Sequence, residues 1–367
     1  MMGGQNCHAE VVFDDGVAWL ARFRLATTSS PPLEVRDYIL RSEAATMTFL
    51  QHRTRIPTPK VFGWACESDP KNQLGTGYIL MEKLHGKTLI WQAATPAQKE
   101  KIMQQLADIF LEIEKHPFQA IGSLVPSAED AAEFVLHGLA HQATFRVRGG
   151  GGPLGPFSTA SESVTAIIQS YLGMIVNGEV GVRHPVDVYL AHRFRLDVVD
   201  SLWDRDRNAP EAQFFLKHPD DKGDHILVND SFDIVGVIDW EWTCTAPMAE
   251  AFCSPCMMWP VGKFYSGSNE LAPEESRLAN ILRERGRDDL ARCVDGGRKA
   301  QRFLFALGPE SESSDRETFA SLFMGLRRAF NRGDQSWEQW RSSAIEEWKG
   351  DGLLQALLET ERGEEQL

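Results

Sequence analysis

The chain has 367 residues, 43% of them hydrophobic, enough to bury a sizeable core in two subdomains or two modest domains, and it does not have the composition of a disordered protein. Its 52 acidic and 38 basic residues give a formal net charge of -14, which argues against nucleic acid or an anionic membrane as the main partner and leaves a small molecule as the expected one. Six scattered cysteines and a start unlike a secretory signal point to a reducing, cytoplasmic setting, and no apolar run approaches the roughly 20 residues needed to span a bilayer.

In chain order, residues 9–25 read as two strands around Asp14-Asp15-Gly16, because Asp-Gly between β-rich runs signals a hairpin. A helix follows from Arg36 to about Thr54, with Ala45, Phe49 and Leu50 on one face and Pro57 and Pro59 ending it. Lys60–Trp64 and Tyr78–Met81 read as further strands, so one helix interrupts a small antiparallel sheet. Thr95-Pro96 supplies an N-cap and first-turn proline for a helix whose Ile102, Leu106, Ile109, Phe110 and Ile113 recur at helical spacing. Gly149-Gly150-Gly151-Gly152-Pro153 predicts a loop or lid over residues 142–160. Residues 161–204 and the last hundred residues read as helical, with a charged tail fraying after Thr360. The Cys253-Ser254-Pro255-Cys256 pair lacks the second ligand pair of a zinc site and is read as packing.

The densest chemistry lies between the helical blocks, in Phe214-Phe215-Leu216-Lys217-His218-Pro219-Asp220-Asp221-Lys222-Gly223-Asp224-His225-Ile226-Leu227-Val228 and, after Asn229-Asp230, in Ile234-Val235-Gly236-Val237-Ile238-Asp239-Trp240-Glu241. The apolar runs beside the Asn-Asp turn predict a buried hairpin with acidic residues at its outer ends, so Asp220 and Asp239 converge at one rim. Phosphoryl transfer requires such a pair: one carboxylate orients an attacking hydroxyl and accepts its proton, and the other holds the metal that bridges the nucleotide phosphates.

These segments resemble the catalytic loop and metal-binding segment of the aminoglycoside phosphotransferase and choline kinase-like family, most closely its large fungal branch of uncharacterised relatives, over roughly residues 3–260. The resemblance implies an α+β, protein-kinase-like two-lobed fold, with residues 1–84 as a nucleotide-binding lobe and residues 85–367 as a larger helical lobe carrying the catalytic loop 214–242. It implies Asp220 as the catalytic aspartate with His218 supporting the loop, Asp239 as metal ligand, Arg22 as the strand-borne cation that grips phosphate, and Glu43 as its helix-borne partner. Tyr78-Ile79-Leu80-Met81-Glu82-Lys83-Leu84-His85-Gly86 resembles the hinge, so Met81, Glu82 and Leu84 would receive the base of ATP or GTP. The implied metal is Mg²⁺ or Mn²⁺, and the implied acceptor is a small hydroxylated metabolite.

Three positions depart from the family pattern. His225 replaces an asparagine, and imidazole suits manganese or zinc better than magnesium; Asp224 can supply oxygen instead, or His225 can bond phosphate or shape the loop. Arg22 replaces a lysine and keeps the charge in a forked geometry. Compared with the family, a chain starting at Met1-Met2-Gly3-Gly4 has a shortened first lobe without its first strand, Gly3-Gly4 being the remnant of the nucleotide-covering loop. Two alternatives therefore stand beside a phosphotransferase: a kinase-like binding protein without catalysis, and a repurposed enzyme using Asp220, Asp221, Asp224, His218 or His225 in acid–base chemistry without nucleotide. Trp242, Trp259 and the loop from Phe145 to Phe157 are the expected walls of an acceptor pocket.

Overall fold

The computed structural model describes residues 6–25, 30–128, 133–141, 151–181, 183–202, 213–305 and 315–364. Alternating side chains on either side of Asp15-Gly16 form a hairpin of β1 (Asn6–Val12) and β2 (Ala18–Arg24). Its turn needs a left-handed residue, and Gly16 takes φ +84 while Asp15 Oδ1 accepts the Val17 N–H at 3.0 Å. Helix α1 (Leu33–Arg53) follows, then β3 (Val61–Ala65) and β4 (Tyr78–Glu82), giving an antiparallel sheet of order β1-β2-β4-β3. The α1 face bearing Ala44, Ala45, Met47 and Leu50 is buried.

Beyond the sheet, β5 (Lys87–Thr88) leads to α2 (Pro96–Glu114). A capping box starts α2: the Thr95 hydroxyl accepts the Gln98 N–H, and the Gln98 side chain accepts the Thr95 N–H at 2.8 Å. A small hairpin, β6 (Ser123–Pro126) with β7 (Phe134–His137), precedes α3 (Ala160–Val176) and α4 (Pro185–Leu202). The expected helical block is thus two helices, broken where Gly178 and Gly181 adopt positive φ. Residues 142–150 of the expected loop lie outside the described residues; Leu154 and Phe157, further along it, form isolated bridges to Leu139 and Ile121.

The central strands are β8 (Phe214–Lys217), β9 (Ile226–Val228), β10 (Ile234–Val237) and β11 (Cys244–Pro247). β9 pairs with β10 on one side and β5 on the other, and β8 leaves the hairpin to pair with β11. The remaining helices are α5 (Met248–Ala251), α6 (Val261–Tyr265), α7 (Pro273–Glu284), α8 (Asp288–Asp295), α9 (Gly297–Phe305), α10 (Arg316–Ala329), α11 (Trp337–Glu347) and α12 (Gly352–Glu364). Helix α12 runs past Thr360 where fraying was expected, because Leu354, Leu357 and Leu358 are buried and Arg341 pairs with Glu361 at 2.7 Å.

One apolar core runs continuously from α1 and Ile79 of β4 through α2 to Ile226 and Val237 of the hairpin and on to α7 and α8. A second core joins α3 and α4 to α9 through α12. The fold is α+β in two lobes, a small antiparallel sheet with α1 and a larger helical part, as the sequence led us to expect. No helix among the described residues is long and apolar enough to cross a membrane.

Candidate active site

The hairpin between β9 and β10 sets the site. Asn229 closes its turn, its side-chain oxygen accepting the N–H groups of Ser231 at 3.0 Å and Asp233 at 2.9 Å. At the opposite end one imidazole ties the two arms together. His218 Nε2 lies 2.9 Å from the Ile238 carbonyl, which can only accept, so this nitrogen carries the proton; Nδ1 accepts the Asp220 N–H at 3.2 Å. His225 stacks on His218 with ring centres 4.3 Å apart, and its carbonyl accepts the Ile238 N–H at 2.9 Å. Burial lowers the pKa of both imidazoles, that of His225 to about 2, where the nearby His218 and Lys217 add to the effect, so the pair is neutral at physiological pH.

The loop after His218 displays its carboxylates differently. Asp220 Oδ2 lies 3.5 Å from Lys222 Nζ, and its Oδ1 is enclosed without a hydrogen-bond partner among the described residues. Asp221 is committed to structure: it accepts from Lys217 Nζ at 3.0 Å and from the Cys256 N–H at 3.0 Å. Asp239, after β10, takes φ +63 and Trp242 takes φ +66, left-handed conformations that an L-residue holds only when its surroundings impose them. Its side chain is 55% exposed while the arginine beside it is 7% exposed, so Asp239 is the solvent-facing member of a buried charge cluster.

That cluster is built on β2. Alternation along the strand puts Arg22 and Arg24 on one face. Arg22 pairs with Glu43 of α1 and donates to Glu241 at 2.7 Å and to Asp239 at 3.0 Å. Arg24 pairs with the other oxygen of Glu241, and Asn6 donates to Glu241 at 3.1 Å. Burial alone would raise the Glu241 carboxyl, but the Arg22 and Arg24 guanidiniums hold it below the ordinary carboxylate range. Two guanidiniums therefore meet three carboxylates, and the excess negative charge sits at the exposed end, on Asp239.

Part of this arrangement opens into one cleft of about 870 Å³. Arg22, Glu43, Met81, Glu82, Leu84, Asp220 and Asp239 line it, so the structure brings together the expected cation, its partner, the hinge and the two aspartates. His218, Asp224 and His225 do not line it; His218 supports the loop from behind, and His225 is stacked and 8% exposed. Trp242 and Trp259 are walls as expected, whereas Phe157 is not and residues 145–150 lie outside the described residues. Among the described residues no three His, Cys, Asp or Glu side chains cluster to hold a metal alone. Mg²⁺ commonly needs only one or two carboxylates together with substrate phosphates, and Asp239, exposed and carrying the surplus charge, fits that role.

Glu241 and Lys222, which line the cleft, and Arg24, which pairs with Glu241, are residues that motif reading gave no role. Arg24 was discoverable, since it shares Arg22's face two residues along a strand; the double pairing of Glu241 depends on how the segment after β10 folds back to the sheet.

No family model matches the chain. Two curated proteins of Aspergillus fumigatus, each named a subtelomeric hrmA-associated cluster protein, are 35% identical to it over 102 residues, 27% of this chain and 20% of theirs, so the match spans about a fifth of those relatives' length. Solved structures similar to it include an aminoglycoside phosphotransferase mutant in ternary complex with AMP-PNP and hygromycin B, at 15% identity and TM-score 0.49, covering 92% of this chain and 93% of that one. A Plasmodium vivax ethanolamine kinase is similar at 14% identity and TM-score 0.48, covering 90% of this chain and 80% of the other.

Proposed function

We propose that the chain is an ATP- or GTP-dependent O-phosphotransferase that acts on a hydroxyl of a small metabolite. The observation that carries this reading is the convergence, in one cleft, of Asp220, Asp239 and the Arg22–Glu43 pair, reached from four separate segments of the chain. Arg22, paired with Glu43, Glu241 and Asp239, would set its positive charge beside the phosphates, and the backbone from Met81 to Leu84 would receive the base. Asp239 would hold Mg²⁺ or Mn²⁺, which when bound supplies charge neutralisation for the phosphates. Asp220 would orient the acceptor hydroxyl and take its proton, with His218 fixing the loop through both ring nitrogens and so unable to act as the base itself.

The test is phosphorus NMR of nucleotide turnover over a panel of alcohols. Asp220→Asn should keep nucleotide binding and lose about a hundredfold or more of turnover; undiminished turnover would remove Asp220 from its role. A second reading, binding without transfer, draws on His225, which is stacked behind the loop instead of lining the cleft. Nucleotide binding with no turnover on the whole panel would favour it.

A further inference from the structure

Four lysines and arginines line the cleft among the described residues, and they differ in how far they are committed. Arg22 is buried and pairs with Glu43, Glu241 and Asp239. Lys217 pairs with Asp221 at 3.0 Å, and Lys83, in the hinge segment, pairs with Glu10 at 2.7 Å. Lys222 has the most exposed side chain of the four, at 57%, and its ammonium lies 3.5 Å from Asp220 Oδ2, the carboxylate assigned to the acceptor hydroxyl. The backbone that carries Lys222 is held on both sides. Asp221, before it, accepts from Lys217 and from the Cys256 N–H, and its carbonyl accepts the Met257 N–H at 3.2 Å. Gly223, after it, takes φ +104, and its carbonyl accepts the Ile226 N–H at 3.1 Å. A flexible four-carbon arm therefore starts from a fixed point next to Asp220.

We propose that Lys222 is the cation that meets the terminal phosphoryl group of the nucleotide, exchanging Asp220 for phosphate oxygens when nucleotide is in place; the proposal rests on the phosphotransferase reading. In that reaction the acceptor oxygen bonds to the terminal phosphorus, and the bond from that phosphorus to its bridging oxygen breaks, its electrons staying with the departing diphosphate. The hydroxyl proton passes to Asp220. Asp220 loses its negative charge as the proton arrives, so Lys222 loses a counter-ion while charge is spread over the oxygens in transit. An ammonium 3.5 Å from that carboxylate has a short way to go to meet them. Arg22 is less free to follow the moving group, because leaving Glu43 or Glu241 strands a buried carboxylate.

The experiment titrates the full chain, with Mg²⁺, against AMP-PNP and ADP and against the guanine pair GMP-PNP and GDP, by isothermal calorimetry. Lys222→Met should weaken the triphosphate analogue about tenfold or more and leave the diphosphate within about twofold, while Lys222→Arg should keep most of the triphosphate affinity. Lys222→Gln is a second neutral variant should Lys222→Met fail to fold. An ammonium that only braces Asp220 leaves both nucleotides unchanged on substitution, and one that only shapes the loop weakens both alike; either result overturns the proposal. A wild-type chain that binds no nucleotide overturns it together with the phosphotransferase. Otherwise the two failures separate. Turnover of an alcohol alongside AMP-PNP binding indifferent to Lys222→Met sinks only the role of Lys222, whereas a selective loss of AMP-PNP in Lys222→Met, with no turnover by the wild type on the whole panel, sinks only the transfer reaction.

Discussion

At the scale of single residues, Glu241 joins the sheet to the hairpin loop. It is 7% exposed on its side chain and faces two guanidiniums that are equally buried. Breaking a buried ion cluster by removing one partner is costly because the surviving charges have neither water nor a counter-ion, whereas the intact cluster itself adds little net stability. Glu241→Ala should therefore destabilise the chain by about 3 kcal/mol or more in chemical denaturation; a loss within about 0.5 kcal/mol would show that Arg22 and Arg24 find other partners. Residue chemistry also explains what could be foreseen. Asp220 and Asp239 stood out because residue type and order along the chain are visible in sequence, whereas Arg22 and Glu43 were expected only through the family resemblance. The burial of His225 against His218 was not, since the departure from asparagine told us which atom type had changed and nothing of where the ring would pack.

At the scale of elements, the β6–β7 hairpin is tied at its start to β11. Gly122 donates its N–H to the Thr245 hydroxyl at 3.0 Å, and its carbonyl accepts the Thr245 N–H at 2.9 Å. A Cβ at Gly122 would lie 2.1 Å from the His137 carbonyl oxygen, a backbone atom that cannot swing aside. Gly122→Ala should cost about 2 kcal/mol or more of stability, read as a lower denaturation midpoint; an unchanged midpoint would mean the strands shift freely. The elements themselves were largely legible. Asp15-Gly16, Thr95-Pro96 and Asn229-Asp230 are local signals with local causes, and each marks the turn or cap it predicted. The partner of β8 was not legible: the Pro219–Gly223 turn signal after Phe214–Lys217 ends the strand without naming a partner, and the pairing with β11 is decided by packing across the chain.

At the scale of the whole molecule, a core running continuously behind the cleft fixes the sheet against the helices, so a ligand in the cleft touches two parts already held in register. The chain carries a net charge of -14, and the cluster at the mouth of the site has one carboxylate more than it has guanidiniums. On the proposed function, a nucleotide triphosphate approaching alone would meet repulsion at Asp239, and together with a divalent cation it would meet a ligand. Isothermal titration of ATP and GTP, with Mg²⁺ or Mn²⁺ and then with a chelator, reads that difference. The wild-type chain should bind at least one of the nucleotides about tenfold or more tightly with metal, and Asp239→Ala should reduce that ratio to about one. Binding indifferent to metal in the wild type, or no binding of either nucleotide with either metal, would contradict the account.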